Sequence, residues 1–176
     1  MHIPDGFIDG PVSAGAAVVA AGGVAVALRR AGQSFDERQA PLAGLVSAFV
    51  FAAQMLNFPV ATGTSGHLLG GALAVILLGP AVGTVCVTVV SVVQALLFAD
   101  GGLSALGLNV LNMAFVAGLG AWVVFRGLRR ALPARASSVP VASGLAAGVS
   151  VVLAAAAFAV EYALGGGGGA SVTTVV

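Results

Sequence analysis

Between Val12 and Leu28 the chain carries no charged side chain, and it closes on Arg29 and Arg30. A run of that length and apolarity is long enough to cross a bilayer. The pattern recurs. Apolar runs cover residues 41–58, 68–78, 81–99, 103–125 and 139–164, separated by short polar or glycine-rich links. Only 7% of the 176 residues are charged, whereas soluble domains average about a quarter. The 26 glycines and many alanines fit helices that approach closely through small side chains. The expected fold is all-α: a polytopic integral membrane helical bundle of six spans. Residues 1–164 form one domain, beginning with a segment 1–10, and a glycine-rich loop and tail follow at 165–176.

Orientation follows from charge. All seven basic residues are arginines, and they fall in the 29–38 and 126–135 stretches. Six spans threaded in order put both stretches on one side, which the positive-inside rule makes cytoplasmic. The N-terminus, the 59–67 loop, the 100–102 turn and the tail then face outside. The short 68–78 segment is counted as a crossing, because otherwise the 126–135 arginines would land outside. Trp122 and Tyr162 fall near span ends, as interfacial aromatics do.

The polar start, Met1-His2-Ile3-Pro4-Asp5-Gly6-Phe7, has no basic leader and no signal-peptide pattern, so Met1 is expected to remain as the terminus. The Met1 amine and the His2 backbone nitrogen would close a five-membered ring on a metal ion. The His2 backbone nitrogen and its imidazole would close a six-membered one. Three coplanar nitrogens leave a fourth corner for another imidazole. Such a field suits Ni(II) or Cu(II) better than tetrahedral Zn(II). The only other histidine, His67, emerges on the same predicted face. Two readings stand on the residues alone: a metal site built from Met1, His2 and His67, or two histidines that hydrogen-bond loop carbonyls.

Amides near the outer span ends (Gln54, Asn57, Asn109 and Asn112) either join helices or orient the imidazoles from behind. Thr64 and Ser65 adjoin His67, and Asp5 is placed to hold the N-terminal segment. Several chemistries are absent. The loop around His67 lacks a phosphate-loop lysine, no HExxH or Ser–His–Asp pattern occurs, and the net charge of +1 offers nucleic acid nothing. Lone Cys86 sits in an apolar run, where a small buried side chain is its ordinary role. The spans hold too few ionisable groups for a proton- or sodium-coupled carrier, so an energy source would have to come from elsewhere. Two rivals remain: a binding component for an organic micronutrient, which would need an aromatic-lined pocket, and a structural membrane protein indifferent to its histidines.

Several blocks carry a resemblance. They are Met1–Phe7, Phe51-Ala52-Ala53-Gln54-Met55-Leu56-Asn57-Phe58-Pro59-Val60, Gly63-Thr64-Ser65-Gly66-His67-Leu68-Leu69-Gly70-Gly71, Gln94-Ala95-Leu96-Leu97-Phe98, Asp100-Gly101-Gly102-Leu103 and Asn109-Val110-Leu111-Asn112-Met113. Together they resemble the substrate-binding membrane component of energy-coupling-factor cobalt or nickel importers, the CbiM/NikM family. The resemblance implies Ni(II) or Co(II) as transported substrate, held by the Met1 amine, the His2 backbone and ring nitrogens and the His67 ring. It implies no organic cofactor and no enzymatic activity in this chain. Its implied partners are a transmembrane coupling protein, two ATP-hydrolysing subunits and a small accessory membrane protein, in a bacterial or archaeal cytoplasmic membrane. Members usually have a seventh helix after the glycine-rich loop, which places an expected break at Val176.

Overall fold

The computed structural model describes residues 2–34, 36–61 and 64–167, with the side chains of 59–61, 64 and 65 left aside. Helix α1 spans Gly10–Ser34 and α2 spans Ala40–Gln54, joined by a 3-10 turn at Glu37–Gln39. An antiparallel hairpin of β1 (Phe58–Ala61) and β2 (Thr64–Gly66) leads to α3 (Gly71–Leu78) and α4 (Pro80–Leu97). A long helix then begins as α5 (Leu106–Val110), passes through a π-helical stretch (Leu111–Leu119) and ends as α6 (Gly120–Ala131). Helix α7, Ser138–Gly165, closes the described chain.

The helical bundle is the expected one, but its rods are unequal. Among the described residues four helices are long and apolar enough to cross a membrane unaided: α1, α4, the continuous 106–131 helix and α7. Helix α2 has 15 residues and stops at Gln54 rather than near Phe58, because Met55–Asn57 turn the chain into the hairpin. Helix α3 has eight residues, about 12 Å of rise against a hydrocarbon core of about 30 Å. It survives because protein rather than lipid surrounds it: Ala74 and Val75 are wholly buried among α2, α4, α6, α7 and the π stretch. Gly71 and Gly83 bring the backbones of the π stretch and α4 against it, leaving no room for a Cβ.

The turn between α3 and α4 is made by Gly79, whose φ of 82° excludes other residues at little cost. Pro80 then starts α4, where its missing N–H has no intrahelical acceptor to lose. The fifth rod starts at Leu106, three residues later than its apolar run, because Gly101–Ala105 are used to hold the N-terminal segment.

Threading these rods alternately gathers the start of α1, the hairpin, the α4–α5 turn and the end of α7 at one end. Three contacts document this: His2 with His67, His2 beside Gly101, and the bridge between Ile8 and Gly166. The arginines of α1 and α6 and those of the two connecting loops lie at the ends of the rods away from that cluster.

Candidate metal centre

The N-terminal segment is laid across the mouth of the bundle and fastened along its length. Ile3 N–H donates to Asn109 Oδ1 at 2.7 Å, and Asn109 Nδ2 donates back to Ile3 C=O at 3.1 Å. Gly102 N–H donates to the same carbonyl at 2.9 Å. Next, Asp5 Oδ1 accepts from both the N–H and the hydroxyl of Ser104, at 2.7 and 2.6 Å. Those bonds hold the Asp5 carboxyl below its ordinary carboxylate value. Asp9 N–H donates to Gly165 C=O, and Gly167 N–H donates to Phe7 C=O. Beneath the strap, Ile3 and Ile8 are buried against Ala105, Leu108, Phe158 and Tyr162. Apolar burial supplies affinity there, and the paired backbone groups set the register.

This fastening fixes His2. Its side chain is 4% exposed, and Nδ1 lies 3.1 Å from Asp100 Oδ1. Burial pushes the His2 ring below its ordinary basicity, with Asp100 and the Gln94 amide pulling partly the other way. The ring is therefore biased toward the neutral form, whose lone pair a metal needs.

His67 arrives from the hairpin. Its ring stacks on that of His2 with centroids 4.6 Å apart and planes 17° from parallel. His67 Nδ1 lies 2.9 Å from Leu68 C=O, and a carbonyl only accepts, so Nδ1 carries the proton and Nε2 the lone pair. That Nε2 is buried and has no hydrogen-bond partner among the described residues, nor does either ring nitrogen of His2. Buried polar atoms are rarely left so. Three imidazole nitrogens without hydrogen-bond partners lie in one small space, a donor set of the kind that suits a cation. Among the described residues no three His, Cys, Asp or Glu side chains converge as a ready ligand set. Side-chain nitrogen ligands there come from two residues, and further nitrogens would have to come from the main chain or the terminus.

The remaining sequence candidates divide. Met1 lies outside the described residues, as do the side chains of Thr64 and Ser65. Gln54, wholly buried at the end of α2, donates from Nε2 to Leu69 C=O at 2.7 Å and so pins the segment that carries His67. Asn109 grips backbone, not imidazole. Asn112 Nδ2 donates to Glu161 Oε2 at 2.7 Å and ties the π stretch to α7. Asn57 is exposed, and its backbone closes a turn on Met55.

Three residues at the site, Asp100, Gln94 and Gly102, lie in blocks that carry the resemblance but were not among the site candidates read from the sequence. An added Cβ at Gly102 would collide with the backbone of Pro4 and Asp5. The Asp100-Gly101-Gly102 turn was visible, but nothing in its spelling says what lies on it.

The model of the family described as cobalt uptake substrate-specific transmembrane region, CbiM, matches residues 2–176. A protein of Archaeoglobus fulgidus, provisionally named a fused nickel transport protein NikMN, is 44% identical over 74% of this chain and 43% of its own length. The cobalt transport protein CbiM of Geobacter sulfurreducens is 41% identical over 74% of this chain and 38% of its own. This chain thus spans less than half the length of either relative. A crystal structure of a truncated transition metal transporter superposes with a TM-score of 0.85 at 34% identity, covering 93% of this chain and 75% of that one. The fold, the matched length and the identities agree: this multi-pass membrane protein belongs to the CbiM family of cobalt uptake substrate-specific transmembrane regions.

Proposed function

We propose that the chain captures Ni(II) or Co(II) at the outer face of a cytoplasmic membrane, as the substrate-binding component of an ATP-driven importer. The observation that carries this is the stacked His2–His67 pair at the end away from the arginines, with both ring nitrogens of His2 and Nε2 of His67 buried and lacking hydrogen-bond partners among the described residues. The ion would be held by the Met1 amine, the His2 backbone nitrogen and the two imidazoles. Peptide-nitrogen ligation favours metals that tolerate a planar field and displace an amide proton, which Ni(II) and Cu(II) do well. The names of the relatives supply nickel and cobalt as the ions to test.

The chain offers no group to hydrolyse ATP, and its spans hold little intramembrane charge. Coupling therefore belongs to partners: a transmembrane coupling protein, two ATP-hydrolysing subunits and a small accessory membrane protein. Reorientation of this component by those partners would release the ion inside.

The test is equilibrium binding of Ni(II) and Co(II) to purified protein with its native terminus, beside a version bearing one extra N-terminal glycine. The extension keeps both histidines and moves the amine out of its chelate ring. Binding that collapses in the extended protein and in His67→Ala supports the reading. Equal binding by all three proteins overturns it.

A further inference from the structure

Gln94 stands at the end of α4 with its side chain wholly buried. Its main-chain carbonyl accepts from Phe98 N–H at 3.0 Å and from Asp100 N–H at 3.2 Å, so it turns the chain and delivers Asp100 to His2. Its side-chain amide lies against the His2 ring. The orientation of that amide is set by Met55, whose Sδ is 3.9 Å from Gln94 Nε2. A thioether offers only lone pairs, so the N–H end faces sulfur and Oε1 faces the other way. Oε1 is buried and meets no donor among the described residues.

The His2 ring therefore lies between two acceptors, the Asp100 carboxylate and the Gln94 amide oxygen. A neutral imidazole has one N–H to give. Without an ion, one acceptor faces a lone pair, an arrangement disfavoured in a low-dielectric interior. An ion removes the mismatch. Nδ1 is the nitrogen that closes a chelate ring with the His2 backbone nitrogen; metal there replaces the Asp100 contact and leaves Nε2–H as the ring's only donor.

We propose that Gln94 is a positioning residue for the captured ion: its Oε1 accepts the His2 Nε2–H and fixes the tautomer that presents Nδ1 to the metal. This rests on the nickel or cobalt reading of the site. The amide takes the part that carboxylates and carbonyls play behind metal-bound histidines elsewhere.

The test compares the full chain with its native terminus, Gln94→Met and Gln94→Glu, with His67→Ala as the control. Nickel affinity, the metal-free thermal midpoint and the ¹⁵N resonances of labelled histidine are read for each; two histidines give two resolvable rings. Gln94→Met keeps the shape and loses the acceptor. It should bind nickel about 10–100-fold more weakly, as losses behind metal ligands do. Its midpoint should stay unchanged, while in the metal-free protein the His2 ring nitrogens shift toward the protonated-Nδ1 pattern that Asp100 favours. Gln94→Glu restores an acceptor and should recover both affinity and pattern. Parental affinity with an unchanged ¹⁵N pattern in Gln94→Met overturns the proposal, as does a Gln94→Glu protein no better than Gln94→Met. Undiminished binding by His67→Ala overturns the metal site itself, a failure the Gln94 variants do not produce.

Discussion

The two ends of the bundle are built by opposite means. At the arginine end the connections are local: Asp36 caps its own turn through Arg38 N–H, Ser138 bonds Pro133 C=O five residues back, and Arg126 lies over Trp122 at 5.7 Å. At the histidine end the bonds join residues far apart in the chain. Asn109 clasps Ile3 across 106 positions and Ser104 clasps Asp5 across 99. Local bonds stop helices and set orientation, and they tolerate change. Long-range bonds place particular atoms beside one another, which is what a site for an ion requires.

The contrast yields a ranking of substitutions, each read as metal affinity together with metal-free stability. His67→Ala removes one of the two imidazoles and should cost more than the roughly hundredfold typical of residues behind ligands. Stability without metal should move little, because His67 gives up only its stack on His2 and a bond to the adjacent Leu68 C=O, while its Nε2 has no partner among the described residues to lose. An intact nickel titration in that variant would break the comparison at its root. Gly102→Ala comes next. Its new Cβ would lift the strap off the α4–α5 turn, destabilising the metal-free protein by about 1–3 kcal/mol and weakening nickel binding with it. Unchanged hydrogen exchange at Ile3 and Asp5 in that variant would show the strap held by other means.

Asn109→Leu removes the clasp and leaves Ile3 N–H buried without an acceptor, at a cost of about 1–3 kcal/mol. Nickel affinity should fall by about tenfold, within the range for supporting residues. An affinity equal to the parent's would mean that apolar burial of Ile3 suffices. Asp5 is the mildest change at this end, because it is solvent-exposed. The Ser104 bonds lower its folded-state value below the ordinary 3.8. Its contribution is therefore present above 3.8 and lost as pH falls through the lower folded value. Asp5→Asn should flatten that acid-side loss by giving up a small contribution at neutral pH and nothing at the acid end; an unaltered acid limb of the pH–stability curve would refute it. At the other end, Arg38→Ala should leave nickel affinity unchanged and stability within about 0.5 kcal/mol. A loss of binding there would show that the two ends are coupled.

Much of this protein is set by the order of its residues. Hydropathy is a property of contiguous segments, so the helical bundle, the positions of its rods and the gathering of arginines at one end followed from local runs. The same order put both histidines on one face, since that needs only a count of crossings. Tertiary structure decided the rest. It made α3 a buried half-length helix, because neighbours can satisfy a short rod that lipid cannot. It turned residues 55–61 and 64–66 into a turn and two paired strands instead of more helix and loop. It gave Asn109 to the Ile3 backbone, left Asn57 exposed, and set Asp100 and Gln94 on either side of His2. Those assignments depend on which atoms meet across a hundred residues of chain. No periodicity or composition encodes such meetings, because they are fixed by how the helices pack and where a glycine permits two backbones to touch.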